Sequence, residues 1–336
     1  MDIDPSAEQR QLIDAFAALY ADASPPEVVR ASEPIGHSPE LWQRLLDTGA
    51  VEMALPESAG GAGATLLDLA LVAEQHGRYV APAPLIEAQV AARLLAAFGD
   101  AAAEVVEEIH GGRLITLAVR PPRGDRAELV PGGAVADAVL VVRGDDLVLV
   151  PTDGRASAVA TLGSQPVADI TFSADDRVLA SGAEAVAAYA MAVDEWRVLT
   201  AAALTGLAAR SLEIGVAYVL ERKAFDRTLA SFQGVAHPLA DRASEVDGSE
   251  LLVHEAAWAR EEEPERFAEL AAMSLGFAAE TARDTSYYAL HFHGGYGFML
   301  EYPIQLYYRR ARSWAALLES PQASFRRVAD RRLAAG

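Results

Sequence analysis

The apolar positions change their period twice along this chain. From residue 6 to 21 they fall at helical spacing, with Leu12, Ile13, Phe16 and Leu19 on one stripe, until Pro25-Pro26 interrupts it. Ser38-Pro39 opens a second helix that runs to Thr48, proline suiting the first turn. After a glycine loop at Gly60, Gly61 and Gly63, Thr65 caps a third helix that turns Leu66, Leu69, Val72 and Ala73 inward and is expected to end at Gly77 as its C-cap. An alanine-rich helix, 85–98, closes this part. Past Gly111-Gly112 the period shortens to that of strands, at 114–119, 138–142, 147–150, 156–162 and 169–172, with PPRGDR, PGG, RGDD and PTDG between them. Short strands at this spacing predict a small antiparallel barrel or sandwich. The helical period returns near Gly182 and lasts to the end: 183–222, 231–263 and 264–292, then a loop at HFHGGYGF and a last helix at 303–318. Forty residues of helix exceed a globular average and suit a bundle or a subunit interface. The expected fold is therefore α+β in three parts: a helical domain at 1–111, a β domain at 112–182 and a helical bundle at 183–336.

Composition narrows the chemistry. The chain of 336 residues has no cysteine, which excludes disulfides, thiolate metal sites and a cysteine nucleophile. The N-terminus lacks the apolar core of a signal peptide and no uninterrupted apolar run reaches 18 residues, so a cytoplasmic protein without a membrane span is expected. The formal net charge of -20 disfavours nucleic acid and anionic membranes, and an anionic ligand would need particular arginines or helix N-termini. The histidines His37, His76, His110, His237 and His254 are scattered without a spacing such as H-E-x-x-H, so packing or surface roles, and no metal site, are expected.

One junction carries candidate chemistry. In YVLERKAFDRTLASFQ, residues 218–233, a long helix breaks and a new one starts, with Arg222, Phe225 and Gln233 around the break. A guanidinium can fork onto phosphate oxygens, an aromatic ring offers an apolar wall, and an amide both donates and accepts. These residue types suit an adenine–pyrophosphate group; a capped helix end with a surface arginine is the simpler alternative.

Spread across the chain, LPESAGGAGA, EQHGR, RKAFD…FQGVAHPLAD and HGGYGFMLEYPIQLYYRRAR together resemble the acyl-CoA dehydrogenase family. That family oxidises an acyl-CoA thioester to the enoyl-CoA: a carboxylate base removes the α proton and the β hydrogen leaves as hydride to FAD. Its members are dimers or tetramers in which a neighbouring subunit helps hold the adenosine end of each FAD. The resemblance implies that Arg222, Phe225 and Gln233 contact that end, joined by His291, Gly294 and Gly295 of the C-terminal glycine loop. Asp226 stands where the family has glycine, and tolerates a left-handed backbone better than most residues.

The chain departs from the family at the reacting end. Neither of the flavin-ring motifs of the β domain is found around AVRPPRGDRAELV, residues 118–130. Leu318 falls at the usual position of the base, with Ser320 and Gln322 supporting that register and Glu319 one residue off. Trp196, between Glu195 and Arg197, occupies the alternative base position on the long helix. Leucine and tryptophan accept no proton, and losing a general base costs ~10²–10⁴-fold. Glu319 remains the fallback base but reads as a helix-end carboxylate. The chain is thus similar to the short, degenerate subunit of actinobacterial heterotetrameric acyl-CoA dehydrogenases. It would lend adenosine-end contacts to FAD in a longer, base-bearing paralogue within an α2β2 assembly acting on an acyl-CoA, such as a steroid side-chain thioester. Two alternatives stay open: a self-sufficient homo-oligomeric dehydrogenase with Glu319 as base, and a non-catalytic scaffold without flavin contact.

Overall fold

The computed structural model describes residues 5–334. In chain order the elements are α1 (Ala7–Ala23), α2 (Pro26–Ala31), α3 (Pro39–Asp47), α4 (Leu66–Arg78), α5 (Leu85–Ala96) and α6 (Ala103–His110). Seven strands follow: β1 (Ile115–Leu117), β2 (Arg126–Val130), β3 (Ala138–Arg143), β4 (Asp146–Pro151), β5 (Ala156–Val159), β6 (Val167–Thr171) and β7 (Arg177–Ser181). The C-terminal part holds α7 (Ala183–Glu221), the short hairpin β8 (Lys223–Ala224) and β9 (Arg227–Thr228), α8 (Gln233–Glu262), α9 (Pro264–His293), α10 (Ile304–Ala311) and α11 (Pro321–Ala334).

The chain forms two compact units, one of Met1–Pro26, Ala70–Ala81 and Arg197–Gly336, the other of Glu27–Leu69 and Pro82–Trp196. In the second unit the strands make two sheets, ordered β1-β3-β4-β7 and β2-β6-β5. Val139 and Val141 of β3 and Val148 and Val150 of β4 share one buried cluster with Ala127 and Val130 of β2 and Ala168 and Ile170 of β6. Alternate residues of both sheets thus point into a common core, as in a sandwich. The expectation of a purely antiparallel arrangement needs one correction: β1 pairs β3 in parallel, Ile115 opposite Ala138. Strands β2 and β7, RAELV and RVLAS, escape the sequence reading because their polar residues break the apolar run.

In the first unit helices dominate. Ser6 accepts from the Gln9 amide and Gln9 reaches back to the Ser6 amide, a complete capping box that starts α1. At the start of α4, which lies in the second unit, Thr65 and Asp68 cap each other's amides in the same way. Gly77, however, is no C-cap. It lies within α4, where an added Cβ would sit 1.7 Å from the Ala203 carbonyl of α7, and one at Gly206 of α7 would sit 1.9 Å from the Glu74 carbonyl of α4. The two glycines let these helix backbones touch. The last predicted helix is also different: α10 ends at Ala311, a short 3₁₀ turn spans Ala315–Leu317, and α11 follows after Pro321 and packs on α9, Phe325 lying over Gly276. Among the described residues α7 alone is long and apolar enough to span a membrane, and half of that window is buried in the protein.

Candidate functional site

The junction that drew attention in sequence is a built turn. Arg222 directly follows α7, its amide bonded to the Tyr218 carbonyl, and its own carbonyl accepts from Leu229 across the hairpin. Lys223 and Ala224 pair with Thr228 and Arg227, so Phe225 and Asp226 form a two-residue hairpin loop. Both take positive φ, 52° and 61°, as a type I′ turn requires. The expected left-handed Asp226 is therefore accompanied by a second strained residue, Phe225, whose ring is 90% exposed. Phe225 stands edge-on to Phe232 at 6.4 Å, and the Arg227 guanidinium lies 4.0 Å above the Phe232 ring. Phe232 caps α8 and Gln233 begins it, with an exposed amide at the positive end of a 30-residue helix.

The glycine loop lies in the same unit. Of HFHGGYGF, the first three residues are the last turn of α9, and Gly294–Phe298 form a 3₁₀ turn. Gly294 adopts φ 61°, ψ −136°, a conformation that a Cβ disfavours. Nothing lies within 4 Å of the positions that Cβ atoms at Gly294 or Gly295 would take, so the backbone there is open to an incoming group. His291 is exposed and stacks on Tyr287 with ring centroids 5.7 Å apart.

Two residues that the sequence reading passed over connect these pieces. Tyr218, one turn before Arg222, stacks on His293 at 4.0 Å, directly before Gly294. His293 donates from Nδ1 to the Ala289 carbonyl at 2.7 Å. Burial lowers its pKa, partly opposed by that bond. The stack joins the end of α7 to the end of α9. Its signal in the sequence was the position of Tyr218, on the face of α7 that Arg222 continues. Arg222, Phe225, Gln233, His291, Gly294 and Gly295 are all exposed and all belong to this unit.

The places where a base was sought look different. Trp196 is 1% exposed and donates from its indole nitrogen to Glu87 at 3.3 Å. Burial raises the Glu87 pKa, against the bonds from its own backbone and from Trp196. Next to Trp196, Glu195 is gripped by Arg93 through two bonds of 3.0 and 3.3 Å. In the first unit Leu318 closes the 3₁₀ turn after Trp314, and Glu319 meets Arg197 at 3.0 Å, with side chains only 10% and 5% exposed. Ser324 donates to Glu319 at 3.0 Å and Arg327 approaches at 3.4 Å. Burial would raise the Glu319 pKa, but Arg197, Ser324 and Arg327 outweigh it and hold the carboxyl below the usual range. Glu319 opens on a cavity of about 500 Å³ that it shares with Arg326, Arg327 and Arg331. At residue 118, close to the expected flavin-ring strand, the backbone is internally satisfied: the Ala118 amide bonds Leu140 and its carbonyl accepts from the Tyr189 hydroxyl.

Known proteins resemble this chain along nearly its whole length. Residues 6–104 match the acyl-CoA dehydrogenase N-terminal domain and residues 186–317 the acyl-CoA dehydrogenase C-terminal domain. The acyl-CoA dehydrogenase IpdE2 of Mycolicibacterium smegmatis is 32% identical over 96% of this chain and 98% of its own. A chain of the ChsE4–ChsE5 complex of Mycobacterium tuberculosis superposes with TM-score 0.89 at 27% identity, over 99% of both chains. A steroid ACAD, Tcur3481–Tcur3483, superposes with TM-score 0.89 at 28% identity, over 98% of this chain and 99% of that one. The chain belongs to the acyl-CoA dehydrogenase family.

Proposed function

We propose that this chain is the subunit without a catalytic base in a heteromeric, FAD-dependent acyl-CoA dehydrogenase, supplying contacts to the adenosine end of a flavin whose ring and proton acceptor belong to a longer paralogue. The observation that carries the reading is the contrast between two regions. Arg222, Phe225, Gln233, His291, Gly294 and Gly295 are exposed, whereas Glu195 and Glu319, the carboxylates beside the two base positions, are each held in an ion pair. Glu319, held below its ordinary pKa and bound to a guanidinium, is a poor proton acceptor, and the Glu195 oxygens are both engaged by Arg93. The relatives add support, since ChsE4–ChsE5 is a complex of two differently named proteins and Tcur3481–Tcur3483 is a steroid ACAD.

The residues present fit the nucleotide tail of FAD. Arg222 offers a charged fork for the pyrophosphate, the α8 N-terminus adds amide donors, and the exposed Phe225 ring suits an adenine face. Gly294 and Gly295 leave their backbone open where a side chain would intrude. When bound, FAD supplies the hydride acceptor for dehydrogenation; this chain's residues hold and orient its far end. Along the sequence, 1–111, 112–182 and 183–336 serve as helical, β and bundle parts, a division supported by strands β1 to β7 falling between Ile115 and Ser181. A bulky steroid-side-chain thioester is the substrate class, on the analogy of the steroid relative.

Co-expression with a longer, base-bearing acyl-CoA dehydrogenase paralogue should give a yellow complex with one FAD per heterodimer and colourless protein when this chain is made alone. Arg222→Ala removes a charge-assisted bond of ~1.5–3 kcal/mol and should weaken flavin retention ~10–150-fold. Stoichiometric FAD on the isolated chain, or turnover by it that Glu319→Gln abolishes, would overturn the proposal in favour of a self-sufficient enzyme. If the complex forms and Arg222→Ala combined with Gln233→Ala leaves its flavin content unchanged, the chain is a scaffold.

A further inference from the structure

We propose that Glu74, Glu250 and His254 form a binding site for one divalent transition-metal ion of the zinc or manganese class. Glu250 and His254 lie one turn apart on α8 and face Glu74 of α4, with the three candidate ligand atoms all within 4.8 Å of one another. His254 is 6% exposed and its Nε2 meets Glu74 Oε1 at 2.8 Å, whereas Glu250 is exposed and leaves a path for an ion to enter.

The scaffold around these ligands is fixed on three helices. Gly206 of α7 brings its backbone against Glu74, and the Thr205 hydroxyl bonds Ser249, the residue before Glu250, at 2.6 Å. Two carboxyl groups face one imidazole, so oxygen donors outnumber the basic group in the trio. Arg78, one turn along α4, is engaged by Glu213 at 2.6 Å. A nitrogen with two carboxylate oxygens is a donor set for borderline first-row ions. Metal–ligand bonds of ~2.0–2.2 Å allow ligand atoms to be about 4.4 Å apart at most, so Glu250 closes by a change of rotamer, which its exposure permits. The ion takes the Nε2 lone pair, any proton on that nitrogen leaves to solvent, and water fills the remaining coordination positions. The result is a clamp between α4 and α8 that binds the folded state and stabilises it. No spacing motif in the sequence announces this trio, because Glu74 and His254 are separated by 180 residues.

Calorimetric titration of the full chain, freed of metal by chelator, with zinc should show one saturable site and a raised melting temperature. Glu250→Gln, a substitution at an exposed position, should keep the fold and reduce affinity ~10-fold or more. Manganese should broaden the imidazole signals of one of the seven histidines, assigned to His254 by its loss in His254→Gln. Absence of saturable binding, equal affinity in Glu250→Gln, or broadening spread over several histidines would overturn the site.

Discussion

Asp226 shows how much one backbone angle can decide. At φ 61° next to Phe225 at φ 52°, it sits in a turn whose preferred sequence ends in glycine. Asp226→Gly should therefore stabilise the protein by ~0.5–1 kcal/mol and, by removing a carboxylate near the proposed pyrophosphate, tighten flavin retention in the complex. Asp226→Val should cost ~1–2 kcal/mol instead. Denaturant midpoints and flavin content of the purified complex measure both. Glu319 makes a prediction at the same scale. Its pKa is lower folded than unfolded, so the stability it contributes is present above the ordinary glutamate value of about 4.3 and is lost as pH falls through the folded value. The wild type should lose stability on going from about pH 6 to about pH 4 by more than Glu319→Gln does. Removing Arg197 instead, as Arg197→Met, leaves a largely buried carboxylate with only Ser324 and the more distant Arg327 and should cost ~3 kcal/mol at neutral pH.

Among the elements, the crossing of α4 and α7 is the most exacting. Gly77 was legible as a glycine near a helix end, and the cap was the local explanation. The actual reason is the Ala203 carbonyl, which only a neighbour far along the chain can supply. Gly206→Ala should destabilise by several kcal/mol because a new methyl would meet backbone, which cannot rotate away; a lowered melting temperature checks this. Helices α1, α3, α5, α7, α8 and α9 were readable because helical spacing, alanine richness or a proline at the first turn marked a long segment in each. Strands β2 and β7 and helices α2, α6 and α11 were not: they are short or polar, and tertiary partners rather than their own pattern hold them. Helix α11 in particular carries four arginines, and Ser324 and Phe325 are its anchors against Glu319 and α9.

For the whole molecule, the exposed apolar residues bear on assembly. Phe298 is 72% and Leu300 70% exposed, a few residues beyond Gly294 and Gly295. Exposed apolar residues this large, two positions apart in sequence, suit an interface in the proposed heteromer. In the proposed heteromer, Phe298→Ser combined with Leu300→Ser should lower the yield of complex while leaving the chain folded, as read by native mass spectrometry and circular dichroism. Of the proposed site, Arg222, Phe225 and Gln233 were named from residue types in one short stretch, and His291 and the glycine pair from the family resemblance. Trp196 and Leu318 at the expected base positions were read there too, since identity at a position needs no coordinates. The family and the order of helix, strand and helix followed from periodicity and motif alone. Only the tertiary structure decided that Glu195 and Glu319 are bound to arginines, that Tyr218 stacks on His293, and that Glu74 meets His254. Each of these joins residues tens to hundreds of positions apart, and such distances close through packing, which local sequence does not encode.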